Sequence, residues 1–410
     1  MNNKIDISFG MRLSDLKSSK NLVKKTLLSN LQMKGYTAFV DGDVFMADNK
    51  IKKANLLFKD NKLIAIDDFD ETQIPKQEKI SLINLKNKCL TPAIIEQHIH
   101  GGYGFNFNTA TKEEIEVLLK KMPQNGISEI VATLIPDSIE NLNKQLAVLH
   151  EVIKNPQKGS TKILGVHLEG PFFSPKKSGI HVPEMLMTPT VENFNKLNFE
   201  DIKIVTLAPE LDKDYKLTKY LNSKGIITSA GHTMATAEDV KNSGVKQVTH
   251  LYNAMPNIQH RDLTATNEAL SNDKLYTEII GDLAHVPPEM MDLTVKVKPK
   301  DKIILISDAL EGAHSEKDHF FMNGIRVNIA DGMAKNQNGT LAGSINFVSD
   351  VAKRLVEKTK ITFADFIRFS SVNPSKNLGI EKRYQLKQNS KPNFMIWDKK
   401  TLSPEKTFTA

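Results

Sequence analysis

Two patterns alternate through the central part of the chain. Short apolar runs rich in β-branched residues mostly end in His, Asp, Glu or Asn, and a stretch with helical spacing of apolar residues follows each run. The runs are "PAIIEQHIH", "EIVATLI", "ILGVHLEG", "IKIVTLAPE", "GIITSAGH", "QVTHLYNAM", "TEIIGDLAH" and "KIILISDA". Eight strands alternating with helices predict an α/β fold, a (β/α)8 TIM-like barrel with its functional groups at the carboxyl ends of the strands. A doubly wound open sheet is the alternative, but it would gather ligands at one switch point.

The two ends of the chain have a different pattern, in which short alternating strands are separated by turn residues. "QMKGYTAFVDGDVF" and "ANLLFKDNKLIAID" lie near the start, and "NSKPNFMIWDKK" lies near the end. They predict a small β-sandwich domain built from residues 36–90 and 376–410, with the barrel inserted as residues 91–375. Residues 1–35 are polar and rich in lysine, and for this extension a loose helix and disorder both stay open.

Composition limits the possible functions. The hydrophobic fraction is 40% and the charged fraction 25%, and no apolar run is long enough to span a bilayer, which argues against membrane insertion. The formal net charge is +7, but the lysines are scattered and few aromatic residues lie among them, which argues against nucleic acid as a partner. Cys89 has no second cysteine to pair with, and there is no secretory segment, so we expect a cytoplasmic protein.

The residues at the strand ends indicate a metal site. His98 and His100 are two positions apart in the first run, so both side chains can point into one cavity. Glu169 ends the third run, where a buried carboxylate is costly unless a cation or several donors meet it. His232 ends the fifth run and His250 the sixth. Two imidazoles and a carboxylate form a three-ligand set for a catalytic divalent ion that leaves a position open for water.

A further carboxylate, Asp308, follows the apolar residues of the eighth run in "LISDA". Near a metal ion it could take a proton from bound water. Taken one at a time, these residues could equally be core histidines, a helix-capping aspartate and an ion-paired glutamate. Their occurrence together at successive strand ends favours a catalytic metal centre.

The order of the motifs resembles that of N-acetylglucosamine-6-phosphate deacetylases, a family of the amidohydrolase superfamily. The similar segments are "TPAIIEQHIHGG", "GVHLEGPFFSPKKSGIH", "SAGHTMAT", "THLYNAMPNIQHRD", "ISDA", "GTLAGS" and "NPSKNLGI", and they span roughly residues 36–405. "HLEGP" with the later Gly-x-His, and "HLYNAMP", are the most specific of them. A lone His-x-His marks only the superfamily.

The resemblance implies a ligand set and a cofactor. Glu169, His232 and His250 match the residues that bind the principal metal ion. His98 and His100 match the position that carries a second metal in some members and is replaced in others, so one or two ions per subunit remain open. The donor types suit Zn, Fe, Mn or Co and do not identify the metal.

The resemblance also implies a reaction. Metal-bound water would attack the acetamide of N-acetylglucosamine-6-phosphate, with Asp308 as general base and then general acid, to give glucosamine-6-phosphate and acetate. His181 would help to polarise the carbonyl. The residues that match substrate contacts of the family are Asn253, Ala254, Arg261 and His285. Members are usually dimers, so we expect a homodimer that acts on a small phosphorylated amino sugar.

Departures from the family pattern keep other substrates open. Leu283 and Ala284 replace a stretch that usually contains glycine, Glu311 stands where small residues are common, and the N-terminus is extended. The alternative substrates are N-acetylgalactosamine-6-phosphate and a cyclic amide, although enzymes for cyclic amides usually need a bridging lysine that "TLAPE" lacks. A non-catalytic amidohydrolase-like protein is a third hypothesis.

Overall fold

The computed structural model describes residues 5–6, 35–67 and 79–409. Its centre is a sheet of eight parallel strands that pair in chain order. We number them β1 (Ile94–Ile99), β2 (Ile127–Leu134), β3 (Lys162–Glu169), β4 (Ile202–Leu207), β5 (Ile227–Ala230), β6 (Gln247–Val248), β7 (Tyr276–Ile280) and β8 (Ile303–Ile306). The sheet closes where Ile99 forms a parallel bridge with Ala309 just after β8. The predicted (β/α)8 barrel is confirmed.

Helices cover the outside of the barrel. They are α1 (Lys112–Lys121), α2 (Ile139–Lys154), α3 (Val191–Phe194), α4 (Lys216–Ser223), α5 (Ala237–Ser243), α6 (Ala265–Ser271), α7 (Pro288–Val297), α8 (Ala352–Lys358), α9 (Phe363–Ile367) and α10 (Asn373–Asn377). Capping residues fix where several of them begin: Thr111 and Glu114 form a capping box at α1, and Thr236 and Asp239 form another at α5. None of the described helices is long and apolar enough to cross a membrane.

A second sheet joins the two ends of the chain. Its strands are Ile5–Asp6, Tyr36–Phe45, Ile51–Lys59, Lys62–Ile66, Lys79–Asn84, Lys88–Pro92, Phe394–Asp398 and Ser403–Phe408. Lys88–Pro92 pairs with Tyr36–Phe45 on one side and with Phe394–Asp398 on the other, which links the start of the chain to its end. The small β domain built from both terminal segments is confirmed, and its residue boundaries stay a prediction. The predicted extension over residues 1–35 lies outside the described residues except for Ile5, Asp6 and Gly35.

An aromatic cluster forms part of the hydrophobic core of the small domain. Phe39, Phe58, Phe394 and Phe408 are buried, with ring centroids 4.4 Å apart for Phe394 and Phe408 and 6.0 Å apart for Phe39 and Phe408. Trp397 packs instead against Phe363 and Phe366 of α9, at 5.3 Å and 5.7 Å between ring centroids. Trp397 therefore joins the small domain to the barrel.

A third sheet follows β8, and our prediction did not include it. It consists of His319–Met322, Ile325–Ala330, Met333–Asn336 and Leu341–Gly343, all antiparallel. Asn323-Gly324 and Asp331-Gly332 connect the first three strands, and all four residues have positive φ. Asn-Gly and Asp-Gly between short apolar runs are strong hairpin signals, so the sequence did carry the information.

Candidate metal centre and active site

Four histidines surround the carboxylate of Glu169 at the carboxyl end of the barrel. Oε1 of Glu169 lies 2.9 Å from Nε2 of His250 and 3.3 Å from Nε2 of His232. Oε2 lies 3.2 Å from Nε2 of His100 and 3.5 Å from Nε2 of His98. All five side chains are buried. Each oxygen of one carboxylate thus faces its own pair of imidazoles.

Asp308 completes the half of the cluster that faces Oε2. Its Oδ1 lies 3.0 Å from Nε2 of His100 and 3.4 Å from Nε2 of His98. One ligand atom from each of His98, His100, Glu169 and Asp308 lies within 4.8 Å of the others, and the same holds for Glu169, His232 and His250. Glu169 belongs to both groups, so the arrangement provides two neighbouring positions that share one carboxylate.

The donor set fits a divalent cation. Nε2 of His250 lies 3.1 Å from Nε2 of His232, and both nitrogens face the same oxygen of Glu169. Distances of this size separate neighbouring ligands of a four-coordinate ion whose bonds are about 2.1 Å long. Nε2 of His98 is buried and has no hydrogen-bond partner in the described chain. A buried nitrogen directed at two carboxylates is the expected position of a ligand.

Electrostatics keep both carboxylates charged. Burial would raise the pKa of Glu169, but His98 and the other imidazoles around it hold that pKa well below its usual range. Burial would also raise the pKa of Asp308, which His98 and His100 lower instead. Charged carboxylates are the form that binds metal ions and accepts protons.

Backbone conformation directs three of these side chains into the barrel. His232, His250 and Asp308 have φ values of 46°, 30° and 52°, in the left-handed region that residues other than glycine seldom adopt. Such conformations cost on the order of 1–3 kcal/mol each and are concentrated at functional sites. The sequence gives no signal for them, because none of the three is glycine.

The loop after β3 contributes His181 and supports His232. Nδ1 of His232 donates to the carbonyl of Lys177 at 2.8 Å, which leaves Nε2 free to act as a ligand. Gly179 has a φ of 66°, and a Cβ there would lie 3.3 Å from Cε1 of His232. This explains the glycine of the Gly-x-His motif. Burial, followed by the neighbouring His232, lowers the pKa of His181 to about 3, so its ring is neutral.

A cavity of about 370 Å³ opens above the cluster. The residues that line it are His100, Glu169, Gly179, Ile180, His181, His232, His250, Asn253, Ala254, Ile280, His285, Asp308, Met322 and residues 339–343. Nδ1 of His285 donates to Oδ2 of Asp282 at 2.7 Å, so its Nε2 is the nitrogen left to meet a ligand. Burial would lower the pKa of His285, but Asp282 raises it. Asp282 thus favours the protonated ring, the form in which Nε2 can donate to a ligand.

Comparison with known proteins agrees with this geometry. The sequence matches the Amidohydrolase family over residues 89–410. The chain belongs to the amidohydrolase family. It is 33% identical over 340 residues to the N-acetylglucosamine-6-phosphate deacetylase of Bacillus subtilis, a match that covers 80% of this chain and 85% of that protein. It is 26% identical over 310 residues to the N-acetylgalactosamine-6-phosphate deacetylase of Escherichia coli O157:H7, covering 74% and 81% of the two chains.

A solved structure of this family gives the same result for the fold. The crystal structure of N-acetylglucosamine-6-phosphate deacetylase from Pasteurella multocida superposes with a TM-score of 0.82 at 26% identity. The match covers 91% of this chain and 98% of that one. The superposition extends beyond the barrel, so this chain shares more than the barrel with that deacetylase.

Sequence reasoning did not place every residue of the amidohydrolase cavity. Arg261 is exposed on the loop between β6 and α6 and is not among the residues that line the cavity. Ile180, Met322 and residues 339–343 do line it, but we had assigned them no role. Met322 and residues 341–343 belong to the missed antiparallel sheet. "GTLAGS" had marked this segment without showing that it returns to the site.

Two departures from the family pattern kept other sugars open: Glu311, and the pair Leu283 and Ala284. None of these residues lines the cavity. Glu311 is half-buried, and its side chain forms a hydrogen bond with Asn106. Leu283 has a φ of 60° and packs on the barrel core, and Ala284 is exposed. Among the described residues, neither segment contributes to the wall next to Asp308.

Proposed function

We propose that this chain hydrolyses the acetamide of N-acetylglucosamine-6-phosphate to glucosamine-6-phosphate and acetate. The observation that carries the reaction is the buried cluster of four histidines and two carboxylates at the floor of an open cavity. The substrate rests on the names of the relatives, because the cavity residues by themselves define only a polar pocket for a small molecule.

The cluster would hold two divalent cations of the Zn, Fe, Mn or Co type. Glu169, His232 and His250 would bind the principal one, and His98, His100, Glu169 and Asp308 would bind the second. The division of the Glu169 oxygens between two pairs of histidines supports two cations. Such an ion supplies Lewis acidity and lowers the pKa of water, which makes hydrolysis of an amide feasible near neutral pH.

Asp308 is the proton carrier in this proposal. Its carboxylate lies at the cavity floor, is held ionised, and can accept a proton from the attacking water. The same group returns the proton to the amide nitrogen as the carbon–nitrogen bond breaks. A poor leaving group such as an amine needs this protonation, so a single carboxylate serves both steps.

His181 and the upper wall of the cavity orient the substrate. The neutral His181 ring donates to the carbonyl oxygen as negative charge develops there. His285, Asn253 and Ala254 also line the cavity and would contact the sugar phosphate. Arg261 lies on an exposed loop, and its planar guanidinium suits phosphate oxygens. It would bind the phosphate of a substrate that extends out of the cavity of the same chain, or of a substrate bound in a neighbouring copy. We therefore also propose a homodimer. The single cysteine supports our proposal of a cytoplasmic location.

The test is acetate release from N-acetylglucosamine-6-phosphate by protein of measured metal content. We expect turnover that EDTA abolishes and that added Mn²⁺ or Zn²⁺ restores. Unphosphorylated N-acetylglucosamine should react at least about tenfold less efficiently, since a hydrogen bond to a charged phosphate contributes about 1.5–3 kcal/mol. Metal-loaded protein that releases no acetate from any amino sugar would reject the proposal.

A second substrate has one specific observation in its favour. One relative is named for the galactosamine epimer, and its coverage is similar to that of the glucosamine relatives. The two sugars differ at a single hydroxyl, which only a hydrogen-bonding wall can discriminate strongly. The ratio of kcat/KM for the two epimers, measured on one preparation, decides between them.

A further inference from the structure

A carboxylate lies directly behind one of the four histidines. Nδ1 of His98 is 3.1 Å from Oε2 of Glu278 on β7, and both side chains are fully buried. A carboxylate only accepts hydrogen bonds, so Nδ1 carries the proton and Nε2 presents its lone pair to Glu169 and Asp308. The other three histidines lack this support. His232 donates to a backbone carbonyl, and Nδ1 of His100 and of His250 has no partner within the described chain.

The Glu278 carboxylate is itself held by two glutamine amides, which a third amide orients. Its Oε1 accepts from Nε2 of Gln97 at 2.6 Å and from Nε2 of Gln247 at 3.1 Å. Nδ2 of Asn377 donates to the amide oxygens of Gln97 and Gln247, at 3.2 Å and 2.7 Å. The orientation of both glutamines follows, because their oxygens are taken by Asn377 and their NH₂ groups must face Glu278.

This network is unusual for the interior of a barrel. Apolar branched side chains normally fill that space, whereas here Gln97, His98, Gln247 and Glu278 come from β1, β6 and β7 and are all completely buried. His98 is the single ionisable partner that Glu278 has among the described residues. A buried carboxylate is retained only where positive charge or several donors compensate it. Here the two glutamine amides and the Nδ1–H of His98 are the donors that compensate Glu278.

We propose that Glu278 is a positioning residue for His98. It fixes the ring orientation and the tautomer of His98 and increases the electron donation of Nε2. His98, His100, Glu169 and Asp308 can then hold a second divalent cation. The first cation lies at Glu169, His232 and His250. This inference rests on the cation-dependent chemistry of the proposed function, but it concerns how the second cation is held and not which substrate reacts.

The experiment measures Mn²⁺ binding by equilibrium dialysis and electron paramagnetic resonance. The full chain should bind two Mn²⁺ and give the spectrum of an exchange-coupled pair. In Glu278→Gln the new amide can adopt two orientations. In one, its NH₂ group faces Nδ1 of His98 and forces the ring into the other tautomer. In the other, its NH₂ group faces the NH₂ groups of Gln97 and Gln247, and their hydrogen bonds to residue 278 are lost. We expect the second Mn²⁺ to bind about 10–100-fold more weakly. When one Mn²⁺ is bound per chain, the spectrum should be that of isolated ions.

The matched control is Glu129→Gln. Glu129 is an equally buried carboxylate of the barrel, but it accepts hydrogen bonds from Arg383 and Tyr384 and not from a histidine of the cluster. The control should keep two coupled Mn²⁺ even if it unfolds more easily. A general loss of barrel stability would affect both variants, so only a selective loss in Glu278→Gln supports positioning.

Two results would overturn the inference: one Mn²⁺ per full chain, or an unchanged second affinity in Glu278→Gln. If Glu278→Gln does not fold, Gln97→Met removes one donor to Glu278 at similar volume. That variant should weaken the second Mn²⁺ several-fold, and unchanged affinity would also count against the idea. Acetate release by the full chain is measured separately, so failure of the proposed substrate is distinguishable from failure of the second cation position.

Discussion

The small domain and the barrel mouth of this amidohydrolase bury their side chains to the same extent, but the buried groups are aromatic in the first and ionisable in the second. In the small domain Phe39 and Phe394 are 0% and 1% exposed and pack ring against ring. At the barrel mouth His98 and Glu169 are 0% and 2% exposed and face charged groups. Burial of rings stabilises the fold, whereas burial of charges costs free energy unless partners or a bound ion compensate it. Stability and chemistry therefore occupy separate regions.

The strongest test of this separation is Asp308→Asn. We expect kcat to fall by about 10²–10⁴-fold, because the amide cannot carry the proton from water to the leaving nitrogen. The measurement is the rate of acetate release at saturating substrate, with metal content and circular dichroism as controls. A variant that keeps more than a tenth of the wild-type kcat would remove Asp308 from the mechanism.

The converse change is Phe39→Ala in the aromatic core. It should lower the free energy of unfolding by about 3–5 kcal/mol and leave kcat per folded chain unchanged. Urea unfolding measures the first quantity and active-site-normalised kinetics the second. Phe321→Ala is the matched control, because that ring is 57% exposed and its loss should cost little. A parallel fall in kcat would mean that the small domain shapes the site.

A smaller effect is expected for Asp282→Asn, at the border between site and scaffold. Asp282 accepts from the ring and the backbone N–H of His285. Without the carboxylate we expect KM to rise about tenfold with kcat nearly constant, since the loss affects binding. The pKa of His285, now raised by Asp282, should fall toward its ordinary value, so substrate affinity is lost at a lower pH than in the wild type. Glu289→Gln on the exposed side of α7 should leave both values unchanged.

The smallest effect concerns an ion pair of the small domain. Asp43 lies 2.9 Å from Nζ of Lys53 and also contacts Lys399. Burial would raise the pKa of Asp43, but the two lysines lower it. A lowered pKa stabilises the folded state above the unfolded value of about 3.9, and that contribution is lost as pH falls through the folded pKa.

Asp43→Asn should therefore be less stable than the wild type by about 1 kcal/mol near neutral pH. The gap should begin to shrink below about pH 4, and it should close only when the pH falls below the lowered pKa of the folded carboxylate. Urea midpoints at the two pH values measure this difference, and kcat should not change. A gap that is constant with pH would show that packing, and not charge, accounts for the effect.

Prediction from sequence succeeded where a short-range pattern was sufficient. The barrel, the terminal domain and the amidohydrolase relationship are confirmed, because strand periodicity and the polar strand ends are local features. The structure brings Glu169, Asp308 and the four histidines together, although their individual roles stay part of the proposal. The antiparallel sheet after β8 was missed, although the Asn-Gly and Asp-Gly turns were visible.

Other features could not be read from the chain. Glu278, Gln97 and Gln247 looked like ordinary residues of three separate runs, and only barrel closure brings them together behind His98. Arg261 stood in a motif with Asn253, but the loop carries it to the surface and away from the cavity lining. Contacts between residues far apart in sequence depend on register and closure, which no local pattern specifies.

The sequence by itself determined which elements form and which side chains stand at the strand ends, because propensity and periodicity act over a few residues. The tertiary structure alone decided that one carboxylate, Glu169, faces two pairs of histidines, and that three site residues adopt left-handed backbone conformations. The physical reason is that cooperative packing of eight strands fixes positions to fractions of an ångström and holds strained conformations that no isolated segment would adopt.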